Sequence, residues 1–332
     1  MKYFVRVAGL LGLVALAAFV HQVGVGRILA LFQQIGWPLL LLVPYRAVPL
    51  YLDSRGWRLL FQSNDKGGGG PPPRWMLFWI AALRESINRL LPVANVGGEI
   101  VAVRLLSTSG FSVSAAAASM IVEVALTTIS LCLYAALGAA ILIQFKLAAH
   151  GLQPLLVGGL IVGAMMAVGL VALLRFGSVF ERIARLIERA MAERYAELAR
   201  VIATIDPLVA KVLSNPLKIA RAVCWQLSGL AAGAFETWLL LRWMGSPVDA
   251  STALAIDGVA WALREFIFVV PAGLGIQEAA LTGLGQALGV GTDVALTLSL
   301  AKRLREFLFG APILLLFQTL FKRQAVPAGQ NG

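Results

Sequence analysis

Six stretches of this chain stay apolar for about 20 residues or more, the length an α-helix needs to cross roughly 30 Å of hydrocarbon. They cover residues 4–23, 37–60, 114–143, 152–174, 217–243 and 294–321. Strand-like alternation is absent from them, and backbone groups in lipid must be satisfied within the segment, so the runs predict helices. Composition agrees, with 14% of residues charged against about 25% in a soluble domain. The formal charge of +11 is a poor nucleic-acid signal, because the basic residues lie mainly between the apolar runs. No nucleic-acid partner is expected. Cys132 and Cys224 sit inside apolar runs, and with only His21 and His150 in the chain no metal-ligand spacing exists. Neither metal nor cofactor is expected. The first run continues into His21-Gln22 without a small-x-small cleavage pattern and reads as a retained anchor.

Two further segments, about residues 75–109 and 251–289, begin apolar and then acquire charges, a proline and glycines. They decide the topology. Basic residues cluster at the N-terminus, around the Gly67–Pro73 linker, through the connection of about 175–216 and in the tail at Lys322-Arg323. The alternate connections are short and poor in charge. All four basic regions share one side only if each odd segment enters and leaves by the same face. The expectation is therefore an all-α polytopic membrane protein with both termini cytoplasmic. It has two inverted repeats, each of two spans, a re-entrant helical hairpin and one span. The first repeat covers residues 1–150 and the second 151–332. The second carries the 175–216 insertion, in which apolar residues recur at helical spacing with arginines opposite. Such a helix either lies on the inner leaflet or packs on the protein's own base.

The repeat is legible in the residues. Leu83-Arg84-Glu85-Ser86-Ile87 precedes Pro92 and Glu99, and Leu263-Arg264-Glu265-Phe266-Ile267 precedes Pro271 and Glu278. From the proline onward an offset of 179 holds without gaps, matching Gly110 to Gly289 and Glu123 to Lys302. The tip glycines, Gly97 and Gly98 against Gly273 and Gly275, do not superpose. Pro92 and Pro271 are helix breakers in either case, and the freed amides and carbonyls are available to a head group. Paired, broken, charged helices of this kind recur in secondary transporters, where they meet near the midplane.

An ionisable side chain at mid-bilayer costs on the order of 2.5–3.5 kcal/mol, so such residues face protein or water and often mark a pathway. The candidate pathway residues are Arg84, Glu85, Asn88, Glu99, Arg104 and Glu123 in the first half. In the second they are Arg264, Glu265, Glu278, Lys302, Arg303 and Glu306. Glu85 and Arg89, one turn apart, are expected to pair within their helix. Glu123 is expected to pair with Arg303 or Lys302 across a pseudo-twofold axis. Glu99 and Glu278 are the candidate ion-coupling carboxylates. The structural alternative is that buried pairs only fix helix packing. The G-x-x-x-G pairs Gly229/Gly233 and Gly159/Gly163 read as close helix contacts, and Trp261 as an interface or cavity residue.

The stretches RESINRLLPVANVGGEIVAVRLL (residues 84–106), PAGLGIQEAAL (271–281) and SLAKRLREFLFG (299–310) resemble the flippase-like membrane domain of lysylphosphatidylglycerol synthases. Within that superfamily the chain looks most like the hopanoid-associated membrane proteins. The resemblance covers nearly the whole chain and implies lipid translocation in a bacterial inner membrane. The family's motif positions are Arg84, Asn88, Pro92, Gly97, Gly98, Glu99, Glu123, Pro271, Gly273, Gly275, Glu278 and Arg303. The spans use up the chain, so no aminoacyl-transferase domain and no enzymatic aminoacylation are expected. The partners it implies are membrane lipids, of anionic, isoprenoid or hopanoid class, and lipid-synthesis enzymes. Two other functions compete. One is a scaffold for a lipid-synthesis complex. The other is a membrane-embedded lipid-modifying enzyme, against which stands the lack of a Ser-His-Asp set or a metal constellation.

Overall fold

The computed structural model describes residues 35–61, 70–91, 96–144, 153–176, 201–266 and 276–324, with a few isolated positions besides. The first expected span, residues 4–23, most of the 175–216 insertion, and the tip residues Pro92, Pro271, Gly273 and Gly275 lie outside them. Every element among the described residues is helical.

In the first half these are α1 (Pro38–Tyr45), α2 (Ala47–Arg58), α3 (Arg74–Leu90), α4 (Gly97–Thr108) and α5 (Val113–Gln144). Next come α6 (Gln153–Phe176), α7 (Ile205–Leu213) and α8 (Pro216–Trp243), then α9 (Ala250–Phe266), α10 (Ile276–Ala287) and α11 (Thr292–Gln324). The expected span over 37–60 is thus two helices meeting at Arg46. Pro49 has no N–H for the carbonyl of Tyr45, and Pro44 none for that of Leu40, which weakens the helical ladder there. α8 starts sharply because the Asn215 side chain accepts from the Lys218 amide at 3.0 Å and Pro216 fits the first turn.

The two odd segments fold alike. The described part of each is a 17-residue helix and a 12-residue helix, followed by a helix of 32 residues in the first half and 33 in the second. The turns before those long helices hold Gly110 and Gly289 at φ +94° and +73°, a left-handed conformation that glycine adopts without a Cβ clash. Packing is reciprocal: α3 lies on α11 and α9 on α5, while α2 and α8 pack on each other.

Two helices among the described residues are long and apolar enough to cross a membrane by length and composition, Val113–Gln144 and Val157–Leu174. The second turns its side chains outward, with Ile161, Val162, Met165 and Val168 all more than half exposed. Such a greasy outer face suits lipid, not water. α8 and α11 are 28 and 33 residues long but carry charges: Glu236, Lys302, Arg303 and Arg305 are turned inward, while Lys218, Arg221, Arg242 and Asp293 are exposed. The described end of the insertion packs on the protein: Ile205, Val209 and Val212 join Trp57, Leu60, Phe61 and Phe111 in one apolar cluster.

Candidate functional site

The site is built on the two helix pairs. In the first pair, Gly98 lies against Arg84 and Asn88, while Leu106 and Leu77 share one cluster, so α3 and α4 run antiparallel. A Cβ on Gly98 would come 2.5 Å from the Arg84 carbonyl oxygen and 2.7 Å from Asn88 Oδ1. Only glycine fits there. The gap it leaves lets the Gly98 amide donate to Asn88 Oδ1 at 2.9 Å, and Asn88 Nδ2 donates to both Glu99 oxygens at 3.0 and 3.1 Å. The second pair is also antiparallel, with Arg264 donating to Gln277 Oε1 near the break and Ile256 clustered with Leu284 far from it. Glu99 and Glu278 both stand in the first turn of their helices, where the macrodipole favours an acid.

The first helices of the two pairs meet near their C-terminal ends. Arg89, at the C-terminal end of α3, pairs with Glu265, at the C-terminal end of α9, at 2.7 Å. Elsewhere α3 and α9 do not pack side by side. Trp261 joins the contact, its ring centroid 4.8 Å from the Arg89 guanidinium and 6.0 Å from that of Arg46.

Around this junction nearly every buried charge has a partner. Arg46 pairs with Glu85, its Nε at 2.9 Å. Arg84 grips Glu123 with both terminal nitrogens, at 2.5 and 2.9 Å, under the Trp57 ring. Arg264 does the same to Glu306, at 2.7 and 3.1 Å, and its Nε is buried without a hydrogen bond. Three successive cations of α11 reach three different helices: Lys302 to Asp257, Arg303 to Glu278, and Arg305 to Glu236 at 3.0 Å. Asp257 also accepts from Tyr134 at 3.2 Å and Thr237 at 2.7 Å. A second polar string runs from Glu123: Gln226 donates to Thr127 at 2.9 Å and accepts from Ser130 at 3.0 Å. A narrow cavity opens among the charges of the second half, lined by Trp261, Arg264, Gln277, Lys302, Arg305 and Glu306.

Several expectations are corrected. Glu85 and Arg89 do not pair within α3, since each finds an acid or base on another helix. A partner that is otherwise unpaired in low dielectric wins over an intrahelical one. Glu123 pairs with Arg84 and not with Lys302 or Arg303, which have acids of their own nearer by. Arg104 is exposed on the outer face of α4 and stays outside the cluster. Gly229 and Gly233 do mark close contacts, to Asp53 and Asp257, but a Cβ on Gly159 would meet nothing within 4 Å. Sequence reasoning passed over Arg46, Glu236, Asp257, Gln277 and Arg305 as site residues. The first three and Arg305 were findable by the same rule that chose the others, as ionisable residues inside apolar runs.

The comparisons with known proteins follow this geometry. The sequence model described as "Lysylphosphatidylglycerol synthase TM region" matches residues 4–313. The chain belongs to the lysylphosphatidylglycerol synthase transmembrane family. Membership makes it a membrane protein that acts on lipids, and membrane lipids are its partners. The comparisons with curated proteins and with solved structures gave no match.

Proposed function

We propose that this protein translocates a lipid or lipid-linked molecule across the bacterial inner membrane and is not an enzyme. Its head group passes the polar junction of two re-entrant hairpins while the tails stay in the bilayer. The observation that carries this is the contact of Arg89 with Glu265, at the C-terminal ends of α3 and α9, between two short antiparallel helix pairs. Helices of 17 and 12 residues measure about 26 and 18 Å, less than a bilayer crossing needs. Each pair enters and leaves by one face, and pairs that touch only at those ends come from opposite faces. The matched lengths, the two left-handed glycines at an offset of 179 and the reciprocal packing support an inverted repeat. Residues 1–150 and 151–332 are its halves, with N and C termini cytoplasmic. A packed, ion-paired junction closed on both sides is the kind of bistable element that alternating access requires. The resemblance to hopanoid-associated proteins makes an isoprenoid- or hopanoid-linked head group the first cargo to try.

The test is transport by the purified protein in vesicles, using a headgroup-labelled phospholipid and a membrane-impermeant quencher. The expected result is protein-dependent exposure of inner-leaflet label that falls in a Glu99→Gln, Glu278→Gln double variant. Equal rates in the variant and the parent would count against the assigned roles, and no protein-dependent exchange of phospholipid or hopanoid probes would remove the translocation assignment.

A further inference from the structure

Asp53 is the exception in the pattern of paired charges. It lies on the face of α2 that meets α8, where the two backbones come unusually close. A Cβ on Gly56 would be 3.0 Å from the Ala222 carbonyl oxygen, and one on Gly229 would collide with the Asp53 carboxylate and come 3.3 Å from the Pro49 carbonyl oxygen. The carboxyl group therefore fills the space that Gly229 leaves open. Glu85, Glu99, Glu123, Glu236, Asp257, Glu265, Glu278 and Glu306 each have a hydrogen-bond or ion-pair partner. Among the described residues of this junction, Asp53 alone has neither.

Charged groups near it come from the helices packed on α2. Arg46 stands at the α1–α2 corner, Arg84 and Glu85 on α3, and Glu123 on α5. α8 presents Gly229, and its nearest acid, Glu236, is held by Arg305. Those four neighbours are two closed pairs, Arg46 with Glu85 and Arg84 with Glu123. Asp53 is the odd charge beside two neutral couples. Asp53 is partly buried, and an ionised carboxylate there has no counter-ion of its own, which favours the neutral acid.

We propose that Asp53 is a proton-binding site that is neutral in the arrangement described here and ionises when Arg84 or Arg46 is released from its own carboxylate. The proton leaves the carboxyl O–H for water, and the carboxylate that remains takes the freed guanidinium as its counter-ion. Proton release is thereby tied to movement of α3 against α2 and α5. On the translocation proposed above, on which this second step rests, a pH difference across the membrane biases transport; the protonation itself does not depend on it.

Infrared difference spectroscopy of the purified protein in lipid bilayers tests the site directly. The wild type is expected to show a neutral-carboxyl C=O band at neutral pH that Asp53→Asn lacks and Glu99→Gln retains. Gly229→Ala, which presses a methyl group on the carboxyl, is expected to shift the band without removing it. Identical wild-type and Asp53→Asn spectra overturn the proposal; if Asp53→Asn does not fold, an unmoved band in Gly229→Ala overturns it. In vesicles carrying labelled phosphatidylethanolamine, an imposed pH gradient is expected to change the wild-type rate several-fold and the Asp53→Asn rate not at all. A wild-type rate indifferent to the gradient overturns the coupling step. Absence of any transport removes the translocation assignment and leaves the infrared result standing.

Discussion

The two helix pairs share a scaffold but not a charge pattern. On the first side the long helix α5 contributes one charged residue, Glu123, and the guanidinium comes from the hairpin as Arg84. On the second side the long helix α11 contributes Lys302, Arg303, Arg305 and Glu306. Glu123 and Lys302 occupy matched positions with opposite sign. The hairpin acids differ in the same sense: Glu99 is held by the neutral amide of Asn88, whereas Glu278 is held by Arg303. On the first side the cations thus come from the hairpin and from Arg46, and on the second the long helix itself supplies them as cross-braces. The scaffold repeats while its charges do not, and on the translocation proposed above the braced second side anchors while the first exchanges partners.

The largest effect should come from cutting a brace on the anchored side. Lys302→Ala leaves Asp257, whose side chain is 1% exposed, without its cation. Breaking one partner of such a pair costs about 3–5 kcal/mol, read as a lowered unfolding midpoint in detergent. Arg84→Ala on the other side should cost less, because Arg84 is 17% exposed against 7% for Lys302. An equal or greater loss at Arg84 would break the comparison. Replacing Lys302 and Asp257 together by Met and Leu should restore most of the stability, and transport that stays low in that variant would place the pair in the pathway. Next in size is Gly98→Ala, where the new methyl meets the Arg84 backbone. Overpacking of this kind costs about 1–3 kcal/mol, and it should loosen Glu99 from Asn88 as well.

The fold was more legible in the sequence than the site. Run length and the 179-residue offset located both helix pairs, both long helices and the paired turn glycines, because helical spans and left-handed turns are written locally. The pairing partners were not, because Arg84, Glu123, Lys302 and Arg303 choose among acids and bases on several helices according to distance. Helical periodicity sets which way a side chain points and says nothing of what stands opposite. Arg104 lies in the same stretch of sequence but is exposed on a helix only 12 residues long, which its neighbours in sequence did not reveal. Asp53 went unnoticed because α2 also carries Arg55 and Arg58, so its acid looked like part of a solvated charge run.

The two turn glycines probe the symmetry itself. Gly110 and Gly289 have left-handed φ and no heavy atom within reach of an added Cβ at Gly289, so an alanine there meets backbone strain and no steric neighbour. Left-handed backbone costs a non-glycine residue about 1–2 kcal/mol, and Gly110→Ala and Gly289→Ala should lower stability by similar amounts. Unequal losses would show that the turns are alike in conformation but not in the load they carry. Arg104→Ala should bring the smallest change, within about 0.5 kcal/mol as for an ordinary surface residue, and leave transport untouched. Its value lies in that silence. A clear transport defect in Arg104→Ala would mean that the outer face of α4 meets the head group, so that the polar route runs along the hairpin's lipid-facing side and not through the junction at Arg89 and Glu265.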